Sequence, residues 1–193
     1  MAGRTPLAWA PRSRRRQTPS CVLVPEVTEG LYFVDLELRR SDIRANSSGG
    51  PARAGIPLEL TIRIVEVGAG GRCTPYEGAA VDVWHCDAGG EYSAVGSDTD
   101  FLRGYQVTGA NGGVTFRTIF PGWYRGRAIH IHLKVRTYDG ASQTYEYTSQ
   151  LFFSETTIAQ AYSVSPYSGN ACRTPPTQPT ASTRRPAARA SWA

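Results

Sequence analysis

The chain of 193 residues is short of several residue types, and each shortage excludes something. Lys134 is the one lysine among 21 basic residues, a bias that a GC-rich coding sequence produces and that identifies no partner. No run of 18 apolar residues occurs, which excludes a transmembrane helix from the sequence. The four cysteines (Cys21, Cys73, Cys86 and Cys172) are too few for a disulfide scaffold and lack zinc-finger spacing. Acidic residues are missing from both ends. Residues 1–20 hold five arginines and no acid, and residues 171–193 hold four arginines and no acid. The middle, 21–170, carries all 16 acids and 12 bases. The net charge of +5 would suggest a polyanionic partner, but it belongs to the ends. Neither a nucleic-acid nor a membrane partner is expected.

What remains is enough for one domain. Apolar residues make up 40% and aromatics 10%, which supports a packed core. Residues 1–20 and 171–193 are Arg-, Pro- and Ala-rich without periodicity and are expected to be disordered tails around a domain over 21–170. Leu58 to Val65 alternates apolar and polar residues, as a half-buried strand does. Further strands are expected over Ala79–Trp84, Val114–Phe120, Ile129–Val135 and Gln143–Phe153, separated by Gly112-Gly113, Pro121-Gly122 and Asp139-Gly140. One short helix is expected over Ser154–Tyr162. The fold class is therefore all-β, a mixed or antiparallel β-sandwich. Cys86 reads as a buried small hydrophobe. Arg14-Arg15-Arg16 is not followed by an apolar stretch, so the literal sequence reads as cytoplasmic. A different N-terminus would make secretion the reading, and a Cys21–Cys73 bridge would fit it.

Histidine is the scarcity that matters most. Two of the three, His130 and His132, are separated by one residue on an expected strand, where side chains two apart share a face. Two imidazoles on one face can chelate a metal ion if other donors join them. Zinc would want cysteine or a third histidine. His85, between Trp84 and Cys86 in an apolar stretch, reads better as a structural residue. No histidine follows His132, which excludes a cupin-type ligand set. The donors near the pair are tyrosines, Tyr124 after Pro121-Gly122 and Tyr92 after Gly89-Gly90. A phenolate is a hard anionic oxygen donor that suits ferric iron.

The stretches carrying these residues resemble a known family. Cys86-Asp87-Ala88-Gly89-Gly90-Glu91-Tyr92-Ser93, Phe101-Leu102-Arg103-Gly104, Thr118 to Tyr124, Gly126 to His132 and Gln150-Leu151-Phe152-Phe153 are similar, in order, to the motifs of the intradiol ring-cleavage dioxygenases. The similarity covers about residues 21–165 and is nearest to the short single-domain members. It implies the β-sandwich of that family and one Fe(III) held by Tyr92, Tyr124, His130 and His132. It implies that a catechol binds this ion as a dianion and that both atoms of O2 are inserted between its hydroxyl-bearing carbons, giving a cis,cis-muconate-type product. Tyr124 would also act catalytically, leaving with a substrate proton. Arg127 would stabilise charge on the ring, Gln150 would orient bound species, and Leu31 and Tyr32 would join Arg127 and Gln150 in lining the substrate site. Partners would be a catecholic substrate and O2, with the protein a monomer or weak homodimer. The alternative reading is a catalytically impaired relative that serves as a metal- or aromatic-binding module.

Overall fold

A computed structural model describes residue 21 and residues 24–170; the two expected tails lie outside the described residues. Two sheets face each other. Strands β1 (Pro57–Arg63) and β6 (Gly113–Ile119) form an antiparallel pair with Leu60 opposite Phe116. The second sheet has the order β5-β4-β7-β8, built from β4 (Ala80–Trp84), β5 (Arg103–Val107), β7 (His130–Asp139) and β8 (Ser142–Phe152), with every neighbour antiparallel. The short ribbon β2 (Val65–Val67) and β3 (Cys73–Pro75) completes the strands. Helix α1 (Glu155–Tyr162) follows β8, with the Ser154 hydroxyl accepting from the Thr157 amide as its N-cap. Among the described residues no helix is long and apolar enough to cross a membrane.

The core follows from period-two alternation. Leu58 and Leu60 on β1 and Val114 and Phe116 on β6 pack against Val81 and Val83 on β4 and Ile131, Leu133 and Val135 on β7. Residues 38–43 close the side of the sandwich. Leu38 O accepts from the Tyr105 amide at one sheet edge, and the Ile43 amide donates to Arg117 O at the other. An exposed edge on each sheet is thereby paired.

The expected strands are present with shifted ends. The run from Leu58 to Val65 is two strands rather than one: Ile64 leaves the β1 ladder, its amide bonding Gly112 O and its carbonyl the Tyr76 amide. Cys21 and Cys73 are joined by a disulfide, with Cα atoms 6.1 Å apart. Cys86 is buried and free.

β7 is buried on both faces from His130 to Val135. One face is the sandwich core. The other carries His130, His132 and Lys134, and it is covered by residues 24–37, which lie across it without forming a strand. The Val27 amide donates to Thr148 O on β8. Glu29 pairs with Lys134, Asp35 with Arg136 at 2.5 Å, and Phe33 packs on Trp84 with ring centroids 4.9 Å apart.

Candidate metal and catalytic site

Strand register lays the floor of the site. Arg103 on β5 pairs with Trp84 on β4, Trp84 with His132 on β7, and His132 with Gln150 on β8. Directly opposed residues share a face, so this single row crosses all four strands on the side away from the core. Trp84 stacks flat on His132, with ring centroids 4.7 Å apart and planes 5° apart. His130 lies one pleat further along β7.

Two loops bring the tyrosines. The loop after β4 carries Tyr92, and the loop after β6 carries Tyr124 and Arg127. They touch through backbone where side chains are absent. The Gly122 amide donates to Asp87 O at 3.0 Å, and a Cβ on Gly122 would lie 2.2 Å from that oxygen. A Cβ on Gly90 would lie 2.4 Å from Trp123 O. The Asp87 carboxylate shapes the first loop by accepting from the Gly89 and Glu91 amides, each at 2.9 Å. Glycine at 90 and 122 lets the loops interlock, which sets the Tyr92 and Tyr124 rings edge-to-face with centroids 5.5 Å apart.

The four donors converge. His130 Nε2 lies 2.8 Å from His132 Nε2 and 3.5 Å from Tyr124 Oη. The Tyr92 ring centre is 6.1 Å from that of His132. His130 Nδ1 sits 2.6 Å from Ala128 O, a contact that requires the proton on Nδ1 and leaves Nε2 a bare lone pair. The Tyr92 hydroxyl and His132 Nδ1 are buried with no hydrogen-bond partner. Of these two, the Tyr92 oxygen faces the converging donors, and an orphaned buried oxygen is costly in a protein whose function does not use it. Two nitrogens bound cis at about 2.0–2.1 Å to one ion lie about 3 Å apart, close to the observed separation. The arrangement therefore fits a single cation. Among the described residues no group of three or more His, Cys, Asp or Glu side chains could hold a metal, so the fit rests on the phenols.

Electrostatics favours the same use. Burial, and after it the neighbouring His130 and then the cation Arg127, holds His132 down to about 2. Burial likewise lowers His130 to about 4, against the Ala128 contact. Both imidazoles are therefore neutral donors at physiological pH. Burial pushes both phenols up, Tyr92 more strongly, while Arg127 pulls them down. Without a strong Lewis acid they stay protonated, which favours a hard, highly charged ion.

Arg127 Nη2 donates to Gln150 Oε1 at 2.8 Å, and Gln150 Nε2 donates to Thr28 O at 2.7 Å. The half-buried Arg127 is thus aimed rather than free. Tyr32 stacks on Tyr92 at 4.4 Å and meets Tyr124 edge-on at 6.0 Å. Leu31 stands 91% exposed, its side chain turned to solvent. Its neighbour Gly30 is the residue that approaches the cluster, since a Cβ there would lie 3.2 Å from His132 Cε1. His85 is structural, fully buried with Nδ1 2.8 Å from Cys86 O and Nε2 2.6 Å from Thr118 Oγ1. Trp84 went unnoticed in the sequence as a site residue. Trp84 was readable, because Ala80, Asp82 and Trp84 alternate with the core residues Val81 and Val83.

The buried histidines carry a pH prediction for the metal-free protein. Burial holds His85 at about 4, as it does His130, against an ordinary value near 6.5. Stability from keeping these imidazoles neutral is fully present above pH 6.5 and is lost as pH falls toward 4, where the unfolded chain binds protons the native one refuses. Asp82 runs the other way. Burial pushes it up to about 6 against the pull of Arg136, so its contribution declines as pH rises toward 6. The histidines outnumber it. Denaturant titrations should lose on the order of a few kcal/mol between pH 6.5 and 4. A flat profile there would contradict the burial of these rings.

No family model matches the chain. An intradiol ring-cleavage dioxygenase from Tetranychus urticae is 37% identical, with a TM-score of 0.66 over 78% of this chain and 74% of that one. The dioxygenase domain of a dioxygenase–carbohydrate-binding protein fusion from Streptomyces sp. SirexAA-E is 32% identical, with a TM-score of 0.54 over 71% of this chain and 81% of that one. Catechol 1,2-dioxygenase 1 of Acinetobacter lwoffii is 37% identical over 111 residues, 55% of this chain and 32% of that protein. The chain spans about a third of the length of the curated relatives it matches.

Proposed function

The chain belongs to the intradiol ring-cleavage dioxygenase family, and from that premise we propose that it cleaves the ring of a catechol between the two hydroxyl-bearing carbons, using O2 and Fe(III) held by Tyr92, Tyr124, His130 and His132. The observation that carries the proposal is the convergence of two imidazole Nε2 atoms, 2.8 Å apart, with the buried Tyr92 phenol and the partly buried Tyr124 phenol, whose oxygen lies 3.5 Å from His130 Nε2. When bound, Fe(III) supplies the Lewis acidity that ionises the diphenol and makes its ring reactive toward O2.

The chain's own residues do the rest. His130 is fixed by Ala128 O and His132 by the Trp84 ring, so both present Nε2 without rotamer search. Tyr124 is the less buried phenol and lies at the mouth of the cluster. Its oxygen is the one placed to take a proton from an entering diphenol. Arg127, held by Gln150, offers a permanent planar cation where charge spreads onto the ring. Residues 24–37 roof the site and exclude water from it.

Arg127 is assigned to the ring, and two further cations near the site are already paired. Lys134 is paired with Glu29 and Glu146, and Arg136 with Asp35 and Asp82. Neither is free to receive a substrate carboxylate. Catechol or hydroxyquinol is therefore a better fit than protocatechuate.

The test is metal analysis, visible absorption and O2 uptake of purified protein supplied with ferric iron. The panel is catechol, protocatechuate, hydroxyquinol and lignin-derived catechols, with product spectra recorded. An iron-bearing, burgundy protein that consumes O2 with a catechol is expected. A colourless protein with these side chains intact would overturn the proposal and leave a binding module.

A further inference from the structure

Arg103 has no role in the chemistry above, yet its guanidinium is the most conspicuous buried cation beside the site. The side chain is 3% exposed and forms no ion pair among the described residues. Burying a guanidinium without a carboxylate is expensive unless its hydrogen bonds are made well. They are. Nη1 donates to Tyr32 O at 2.6 Å, Nη2 to Ser93 O at 2.7 Å, and Nε to Ser93 Oγ at 3.0 Å. Ser93 follows the candidate ligand Tyr92, and Tyr32 belongs to the covering segment 24–37.

The backbone is bent to deliver this side chain. Leu102 is fully buried with φ of 56°, a left-handed conformation that a branched residue adopts only at a cost. The kink leaves Leu102 in the interior and puts Arg103 at the start of β5, on the site face, in the row with Trp84, His132 and Gln150.

Packing alone does not hold the segment there. A crevice lined by Phe33, Leu36, Asp82, Trp84 and Arg103 runs beneath it, so its fit on the sheet is incomplete. Polar ties add to its packing, and Arg103 bonds both the segment and the Tyr92 loop directly.

On the premise of the proposed ring cleavage, we propose that Arg103 is a positioning residue that seats Tyr32 on Tyr92, locking segment 24–37 over the metal pocket. One planar fork fixes two backbones sixty residues apart. The 4.4 Å stack of Tyr32 on Tyr92 is the consequence. Loosening the fork frees the roof and misplaces the wall against which the substrate ring binds.

Arg103→Lys keeps the charge and loses the fork. In the metal-free variant, hydrogen exchange of the peptide covering 24–37, including the Val27 amide bonded to Thr148 O, should accelerate about ten- to hundredfold, the cost of losing charge-assisted hydrogen bonds. The Val81 and Leu133 amides of the core sheet should exchange as in the unaltered protein. With iron, KM for catechol should rise by a larger factor than kcat falls. Wild-type exchange over 24–37 would overturn the proposal, as would acceleration shared equally by Val81 and Leu133.

The unaltered protein offers an arm that needs no variant to fold. The Arg103 Nη1 protons, bonded to Tyr32 O, should exchange together with the Val27 amide under mild denaturant. Exchange only with global unfolding would overturn the proposal. Both exchange arms are read without iron, so a protein that fails to bind iron sinks the ring-cleavage reading while leaving the positioning role decided on its own evidence.

Discussion

Tyr92→Phe should abolish iron uptake while leaving the metal-free protein at least as stable as before. The phenol oxygen is buried with only the Tyr124 hydroxyl near it and no well-formed hydrogen bond, so without metal its main contribution is a desolvation cost. Removing it should raise the denaturant midpoint by up to about 1 kcal/mol in stability. With ferric iron the order reverses, because the site loses an anionic donor. Loss of an outer-shell partner already costs about 10- to 100-fold in metal affinity, and loss of a ligand should exceed that. His132→Ala and Tyr124→Phe should likewise lose iron and colour. His132→Ala should also destabilise the fold, since it empties the place against the Trp84 ring. Metal analysis, visible absorption and chemical denaturation of the three variants decide the matter. Full colour and activity in all of them would overturn the ligand assignment. A Tyr92→Phe protein much less stable without metal would show that its hydroxyl has a structural role instead.

Arg127→Ala should keep the iron and its colour and lose turnover by roughly 100- to 1000-fold, the range seen when a preorganised charge-stabilising donor is removed. Arg127 is not among the converging donors, which is why the metal should stay. Its guanidinium is aimed by Gln150, and Gln150 by Thr28 O. The variant leaves Gln150 Oε1 without its partner, so Gln150→Ala should show a smaller loss in the same direction. Steady-state kinetics and metal content of both variants test this. Loss of iron in Arg127→Ala would move the residue from ring stabilisation to assembly of the site.

The strand that carries the two histidines was the most legible part of the chain. His130-Ile131-His132 alternates, and alternation alone puts two imidazoles on one face and Ile131 in the core. The short helix was legible from its Ser154 cap. β5 was not, although the motif Phe101 to Gly104 runs into its first two residues. Its stretch Arg103–Val107 has burial without a clean apolar-polar alternation, because one face holds the buried Arg103 and the other is only partly covered. Leu31 was expected in the pocket, but its side chain is turned to solvent. A left-handed φ of 79° at Gly30 turns the chain so that backbone, rather than the leucine side chain, faces His132.

By itself the sequence determined five of the strands (β1, β4, β6, β7 and β8), that the two histidines share one side of β7, and, through the family's motifs, which two of ten tyrosines to bring to them. Those are consequences of local period and of motif order. Only the tertiary structure decided that this outer sheet face is roofed by residues 24–37. It alone decided that Trp84 fixes His132, that Gly90 and Gly122 let the tyrosine loops interlock, and that Arg103 joins roof to ligand loop. Each of these depends on backbones far apart in sequence meeting at hydrogen-bonding or van der Waals distance. No local pattern encodes such a meeting; it arises when two sheets pack and the chain path between them is set.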